Sequence, residues 1–236
     1  GFGHGSTCIF RSPPVESMAK PSATTLYCKA GPDGISVGDC PFTHSVQMAL
    51  GLKGVIYEVI PCVQETKPKW LIEECGGKMP CVCHNGEPHV ETSEILAWID
   101  REFPSPPLSP SAALAEEVKA CGVFPAIAQF TKNTEASKDP ELRAKLEAAM
   151  AALSKSLEGK SFLHGDQPGL LDCDILSKLH VLSHATAHYK HFCLDDVKDG
   201  EVLRGYWSRG MALEAFQRGA YSKEHCLWGW GQARGG

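Results

Sequence analysis

Between Leu26 and Ile60 the chain runs through three patterns whose combination admits few folds. Leu26-Tyr27-Cys28 is a short β-prone run, and Ala30 to Gly38, with three glycines and a proline, reads as a loop. From Pro41 onward, Phe42, Val46, Ala49 and Leu50 recur at i, i+4, i+7 and i+8, one apolar face of a helix that Gly54 is placed to stop. Val55-Ile56-Tyr57-Glu58-Val59-Ile60 is again β-prone. Strand, helix and strand within about 35 residues make a βαβ unit, so the two strands are expected to be parallel.

The start of that helix carries the chemistry. Pro41 suits the first helical position, where its missing N–H costs nothing, and this puts Cys40 at the N-cap. Free backbone N–H groups and the positive end of the helix dipole favour a thiolate there. A thiolate is the reactive form of cysteine, so Cys40 is the candidate nucleophile for redox or thiol-transfer chemistry. The competing reading is an inert buried thiol that happens to precede a proline.

Further along, Pro68 to Cys75 reads as a short helix stopped by Gly76-Gly77. Two short strands flank Asn85-Gly86, a strong hairpin signal. Thr92 or Ser93 is expected to cap a helix carrying Ile95, Leu96, Ile99 and Phe103. The element order is therefore βαβαββα. The stretch Pro104-Ser105-Pro106-Pro107-Leu108-Ser109-Pro110 reads as a stiff linker, and everything beyond it reads as helix: Ala112 to Phe130, Pro140 to Glu158, Leu171 to Lys190 and Val202 to Arg218.

Charge and cysteine usage narrow the function classes. The net charge of -5 and the lack of a basic block argue against nucleic acid as a partner. No apolar run approaches the roughly 18 residues that would span a bilayer, so no membrane partner is expected. Eleven scattered cysteines, an odd number in a chain too long to need staples, point to a reducing intracellular compartment with mostly free thiols. The cytoplasm is the expected location, with the chloroplast as the alternative. Gly1 to Ser17 shows little periodicity before Met18-Ala19-Lys20-Pro21 and reads as disordered or processed.

This order of elements, with a cysteine at the mouth of the first helix, resembles the glutathione transferase superfamily, whose first domain is thioredoxin-like. Lys29-Ala30-Gly31, Gly38-Asp39-Cys40-Pro41-Phe42, Lys67-Pro68-Lys69-Trp70 and Gly77-Lys78-Met79-Pro80 sharpen it to the glutathione-dependent dehydroascorbate reductases. Glu91-Thr92-Ser93-Glu94 and Phe103-Pro104-Ser105-Pro106-Pro107-Leu108 continue the likeness, which is close from about Leu26 to Leu108 and loose beyond. The chain departs from that pattern at Thr43, Thr92 and Gly169. The chain thus divides into a leader or disordered extension over 1–22, a domain over 23–103 that the resemblance makes thioredoxin-like and glutathione-binding, a linker over 104–110 and an all-helical domain over 111–236. The resemblance also implies a monomer.

The resemblance assigns roles residue by residue. Cys40 would be the catalytic thiol. Because position 43 is threonine, an oxidised Cys40 has no resolving partner nearby and needs an external thiol, which glutathione would supply as co-substrate, with no permanently bound cofactor. Lys29 and Asp39 would bind dehydroascorbate and ascorbate. Met79, before a cis Pro80, would pair with the glutathione backbone, Ser93 would donate to its glutamyl carboxylate, and Lys67 would meet its glycyl carboxylate. The expected reaction is reduction of dehydroascorbate to ascorbate by a single-cysteine ping-pong route through a mixed disulfide. The alternatives are an omega or glutaredoxin-like thiol transferase and a chloride intracellular channel-like protein. No metal is assigned. Cys81, Cys83, His84 and His89 lack a second cysteine pair at zinc spacing, and His180, His184, His188 and His191 read as a solvated or partly buried helical stripe.

Overall fold

The computed structural model describes residues 9–10 and 20–235. Strand β2 (Thr25–Lys29), helix α1 (Pro41–Leu52), strand β3 (Glu58–Cys62), helix α2 (Lys69–Cys75), strands β4 (Cys81–His84) and β5 (Glu87–His89), and helix α3 (Thr92–Glu102) follow in the expected order. β2 and β3 are parallel, as the βαβ reading requires, while β4 is antiparallel to β2 and to β5. Asn85 and Gly86 both have positive φ, 50° and 81°, the conformation that a two-residue hairpin turn needs.

A further strand, β1 (Ile9–Phe10), pairs in parallel with β3 at the sheet edge, giving the order β1-β3-β2-β4-β5. These two residues lie within the stretch 1–22 expected to be a leader or disordered extension. Pro21 and Ser22 are also tied down, their carbonyls accepting from Gly86 and Asn85 at 3.0 and 3.2 Å. Residues 1–8 and 11–19 of that segment lie outside the described residues.

Other boundaries shift for local reasons. β3 starts at Glu58 rather than Val55, because the Val55 N–H closes the end of α1 on the Leu50 carbonyl (3.0 Å) and Gly54 turns through φ 66°. Helix α3 is capped by Glu91, at φ 63°, so Thr92 and Ser93 are its first two residues rather than its cap.

Beyond the linker the chain is helical throughout. The expected helix over 112–130 is two, α4 (Ala112–Ala120) and α5 (Val123–Lys132), broken where Gly122 adopts φ 63°. Helix α6 spans Asp139–Ser156, and α7 (Leu170–Val181) runs through a π-helical turn, Leu182–Thr186, into α8 (Ala187–Lys190). The expected helix over 202–218 is also two, α9 (Glu201–Ala212) and α10 (Glu214–Gly219). A last helix, α11 (Lys223–Ala233), was not expected.

Helix α1 joins the two halves. Its sequence shows one apolar face, yet Thr43, His44, Ser45 and Gln47 are as buried as Val46 and Leu50. The helix packs on α3 of the sheet domain and on α7 and α10 of the helical domain. His44 donates from Nε2 to the Phe216 carbonyl (2.9 Å), and burial together with His180 pushes it down to about 3, so it is a neutral core residue. At α7 the Asp172 carboxylate accepts from the Gly169 and Leu163 N–H groups, both at 2.8 Å, and from the Tyr206 hydroxyl at 3.0 Å, which secures the start of the helix where Gly169 offers no side chain.

Candidate active site

The loop before α1 is a tight reversal. Gly38 N donates to the Lys29 carbonyl (2.8 Å) and Gly31 N to the Ser36 carbonyl (2.8 Å). A Cβ at Gly38 would stand 2.6 Å from the Ala30 carbonyl oxygen, so only glycine lets the loop close this far. Closure brings the two ends of the loop together: Lys29 Nζ donates to Asp39 Oδ1 at 2.6 Å. Asp39 is buried and Lys29 remains half exposed, with its ammonium over the Trp228 ring, 5.5 Å from the centroid.

Cys40 follows as the N-cap of α1, in extended conformation, with Pro41 at the first helical position. The thiol is half-buried. Its environment corrects one expectation. Burial pushes the thiol above its ordinary range and the Asp39 charge adds to that, while Thr43, through its N–H and hydroxyl, and the Phe42 N–H pull it back. The net direction is upward, because burial outweighs the hydrogen bonds from the start of α1.

On the other side of Cys40, Phe42 lines a cleft of about 970 Å³ between the two domains. The sheet domain contributes the cis Met79–Pro80 bond, Glu91-Thr92-Ser93 and Leu96. The helical domain contributes Ala115 and Lys119 from α4 and Leu170, Leu171 and Asp174 from α7. Three of the expected site residues, Met79, Pro80 and Ser93, therefore share one wall. Lys67 is not on that wall; its Nζ donates to the Gly77 carbonyl (2.9 Å), beside Lys78 on the rim. Glu91, which turns the chain into α3 at positive φ, pairs with Lys78 across the rim at 2.6 Å. Such a backbone conformation in a non-glycine residue costs on the order of 1–3 kcal/mol and recurs at ligand sites.

The sequence reading missed α11, which closes the site over Lys29 and Asp39. His225 donates from Nδ1 to the Val37 carbonyl (3.0 Å). Gly229 lies so close to Asp39 that a Cβ there would stand 2.0 Å from Oδ2. The signal was Ser222, which caps the helix by accepting from the His225 N–H (3.2 Å). The histidine stripe dives inward along α7: His180 is buried and donates to the Tyr221 carbonyl (2.9 Å), His184 is half-buried, and His188 and His191 are exposed. Among the described residues no group of three or more metal-binding side chains is arranged to hold an ion. Cys81 and Cys83 are core residues of a small second cluster with Tyr27, Cys62 and Trp70.

Comparison with known proteins agrees with this architecture. Residues 22–107 match the CLIC-like N-terminal domain family. A dehydroascorbate reductase from Chlamydomonas reinhardtii superposes with a TM-score of 0.78 at 26% identity, over 89% of this chain and 98% of that one. A Tau-class glutathione S-transferase from mango, Mangifera indica, gives 0.74 at 18% identity, over 90% and 99%. An Omega 3C glutathione transferase from Trametes versicolor gives 0.75 at 18% identity, over 87% and 92%. The fold is that of the glutathione transferases, with a small mixed-sheet domain followed by a helical one. Among the described residues no helix is long and apolar enough to cross a membrane.

Proposed function

We propose that this chain is a glutathione-dependent thiol oxidoreductase that reduces dehydroascorbate to ascorbate through Cys40. The observation that carries the reading is the position of Cys40 between two unlike surfaces. Residue 39 faces α11 as half of an ion pair, and residue 42 faces an interdomain cleft. The 26% identity with a dehydroascorbate reductase over nearly all of that chain supports the substrate class.

In this reading Lys29 and Asp39 hold the small polar tricarbonyl, the ammonium donating and the carboxylate accepting or relaying a proton. Cys40 gives up two electrons and takes one oxygen from water, becoming a sulfenic acid, as dehydroascorbate gains two electrons and two protons and leaves as ascorbate. One glutathione condenses with the sulfenic acid, releasing water and forming the mixed disulfide. A second glutathione attacks that disulfide, frees Cys40 and leaves as glutathione disulfide. Met79 and Pro80 would present backbone to the peptide, and Ser93, with the first N–H groups of α3, would meet a carboxylate. Lys67 would reach the second carboxylate by exchanging its bond to Gly77.

A general thiol transferase is the second reading, favoured by the size of the cleft. One assay separates the two. Glutathione-dependent formation of ascorbate, followed by its absorbance, is expected to proceed with parallel double-reciprocal lines, and to outpace glutathione-dependent reduction of a small mixed disulfide. Thiol transfer without ascorbate formation would leave the general transferase; neither activity would favour a CLIC-like binding role.

A further inference from the structure

We propose that the space between the loop before α1, α1 itself and the α10–α11 junction is a binding site for a small hydroxylated aromatic acid, separate from the interdomain cleft. It is a cavity of about 420 Å³, at the small end of the range for small-molecule sites, and it shares no lining residue with the cleft. Three packings shape it. The Asp33 carboxylate accepts from the Ile35 and Ser36 N–H groups at 3.0 and 2.9 Å, a turn that leaves Ile35 standing at the rim, 68% exposed. His225 holds the loop to α11, its imidazole so close to Gly31 that a Cβ there would stand 2.9 Å away. Helix α10 ends on α1 with no side chain to spare, because a Cβ at Gly219 would stand 2.8 Å from the His44 ring and 3.0 Å from Gln47 Cβ.

The walls ask for a particular chemistry. Gln47 and Tyr221 both line the cavity and both are buried, yet Gln47 Oε1 and the Tyr221 hydroxyl have no hydrogen-bond partner. The Gln47 oxygen lies against the Gly219 wall, 3.4 Å from where that Cβ would be. A buried carbonyl oxygen left without a donor is costly, and only an O–H or N–H satisfies it, which an ionised carboxylate cannot do. The Tyr221 hydroxyl can donate to or accept from the same group. Ile35, Val37 and Ala220 offer an apolar wall for the body of the ligand. Arg218 also lines the cavity; its guanidinium pairs with the exposed Glu214, and its planar set of donors can meet a ligand carboxylate as well. One ring with a hydroxyl at one end and a carboxylate at the other meets all three demands: hydroxyl on Gln47 and Tyr221, ring on Ile35 and Val37, carboxylate toward Arg218.

The site goes beyond the oxidoreductase reading and does not depend on it. The test is calorimetric titration of the full chain with para-hydroxybenzoate, benzoate and para-hydroxybenzyl alcohol. The first is expected to bind one to one, in the millimolar-to-micromolar range that about ten non-hydrogen atoms supply. The second lacks the hydroxyl and the third the carboxylate, so each should bind at least about fivefold more weakly. Gln47→Leu removes the orphaned acceptor at similar volume; it should fold at least as stably as wild type and bind para-hydroxybenzoate no better than benzoate. Ile35→Asp, at an exposed position that the fold does not need, removes apolar wall and sets a negative charge at the rim, and should abolish binding whether or not the Gln47 variant folds. Absence of saturable binding, equal affinity for benzoate, or an affinity unchanged by Ile35→Asp overturns the proposal.

Discussion

Cys40 has two neighbours of opposite effect on one proton. The α1 N–H groups favour the thiolate, and Asp39, held in place by Lys29 and by α11, opposes it. Cys40→Ser should abolish glutathione-dependent ascorbate formation, while Cys83→Ser should leave it near wild type. Asp39→Asn should lower the apparent pKa of Cys40, read as the midpoint of iodoacetamide reactivity against pH. The substitution removes a negative charge beside the sulfur and frees the Lys29 ammonium to face it; each unit corresponds to about 1.4 kcal/mol. The same variant should lose dehydroascorbate turnover, so reactivity would rise as catalysis falls. A midpoint that stays or climbs would remove Asp39 as the opposing charge. The position of the thiol was legible in the sequence because Pro41 and the helical spacing after it are local signals. The direction of its pKa was not, because that depends on burial, which only the folded chain supplies.

At the scale of elements, Lys53 and Asp100 form a clasp. The Lys53 side chain is fully buried at the end of α1, with its ammonium 2.6 Å from Asp100 Oδ1 on α3, and also donates to the Pro106 carbonyl. Asp100 accepts in addition from the Leu108 and Ser109 N–H groups at 2.8 and 3.1 Å, fastening the interdomain segment to α3. Burial pushes this carboxyl up, but Lys53, Ser109 and Leu108 outweigh it and hold it at about 2. Asp100→Ala should therefore destabilise the fold by about 3 kcal/mol, measured by denaturant unfolding, because it strands a buried cation. The contribution tied to ionisation, up to about 2 kcal/mol, is present above the ordinary carboxylate range and lost as pH falls from about 4 toward 2. Asp100→Asn should flatten stability over that window; an unchanged acid limb would mean the clasp is not what titrates. Elements bounded by proline or glycine, such as α1 between Pro41 and Gly54 or the Asn85-Gly86 hairpin, were readable from sequence. The breaks at Gly122 and Leu213 fell inside sustained helical spacing, and α11 left only the Ser222 cap as its signal because Gly229 and Gly231 interrupt any apolar stripe.

For the molecule as a whole, the site is completed from both ends of the described chain: the loop before α1 supplies Lys29, Asp39 and Cys40, and α11 lies over them. Gly229→Ala tests whether that closeness matters. The new methyl would have to displace Asp39, and dehydroascorbate kcat/KM should fall at least tenfold, about 1.4 kcal/mol in the transition state, with KM for glutathione little changed. Equal losses for both substrates would point to general overpacking instead. The order βαβαββα and the helical second half were legible because each element carries its own period. The lid over the ion pair was not, since nothing in residues 29–40 announces what will pack on them. This arrangement also has a schedule. Val37 and His225 are 188 positions apart, so at about 5–20 residues per second a ribosome needs roughly 10–40 s to deliver the second after the first. Through that interval each newborn chain carries Cys40 before the helix that covers Lys29 and Asp39 beside it exists.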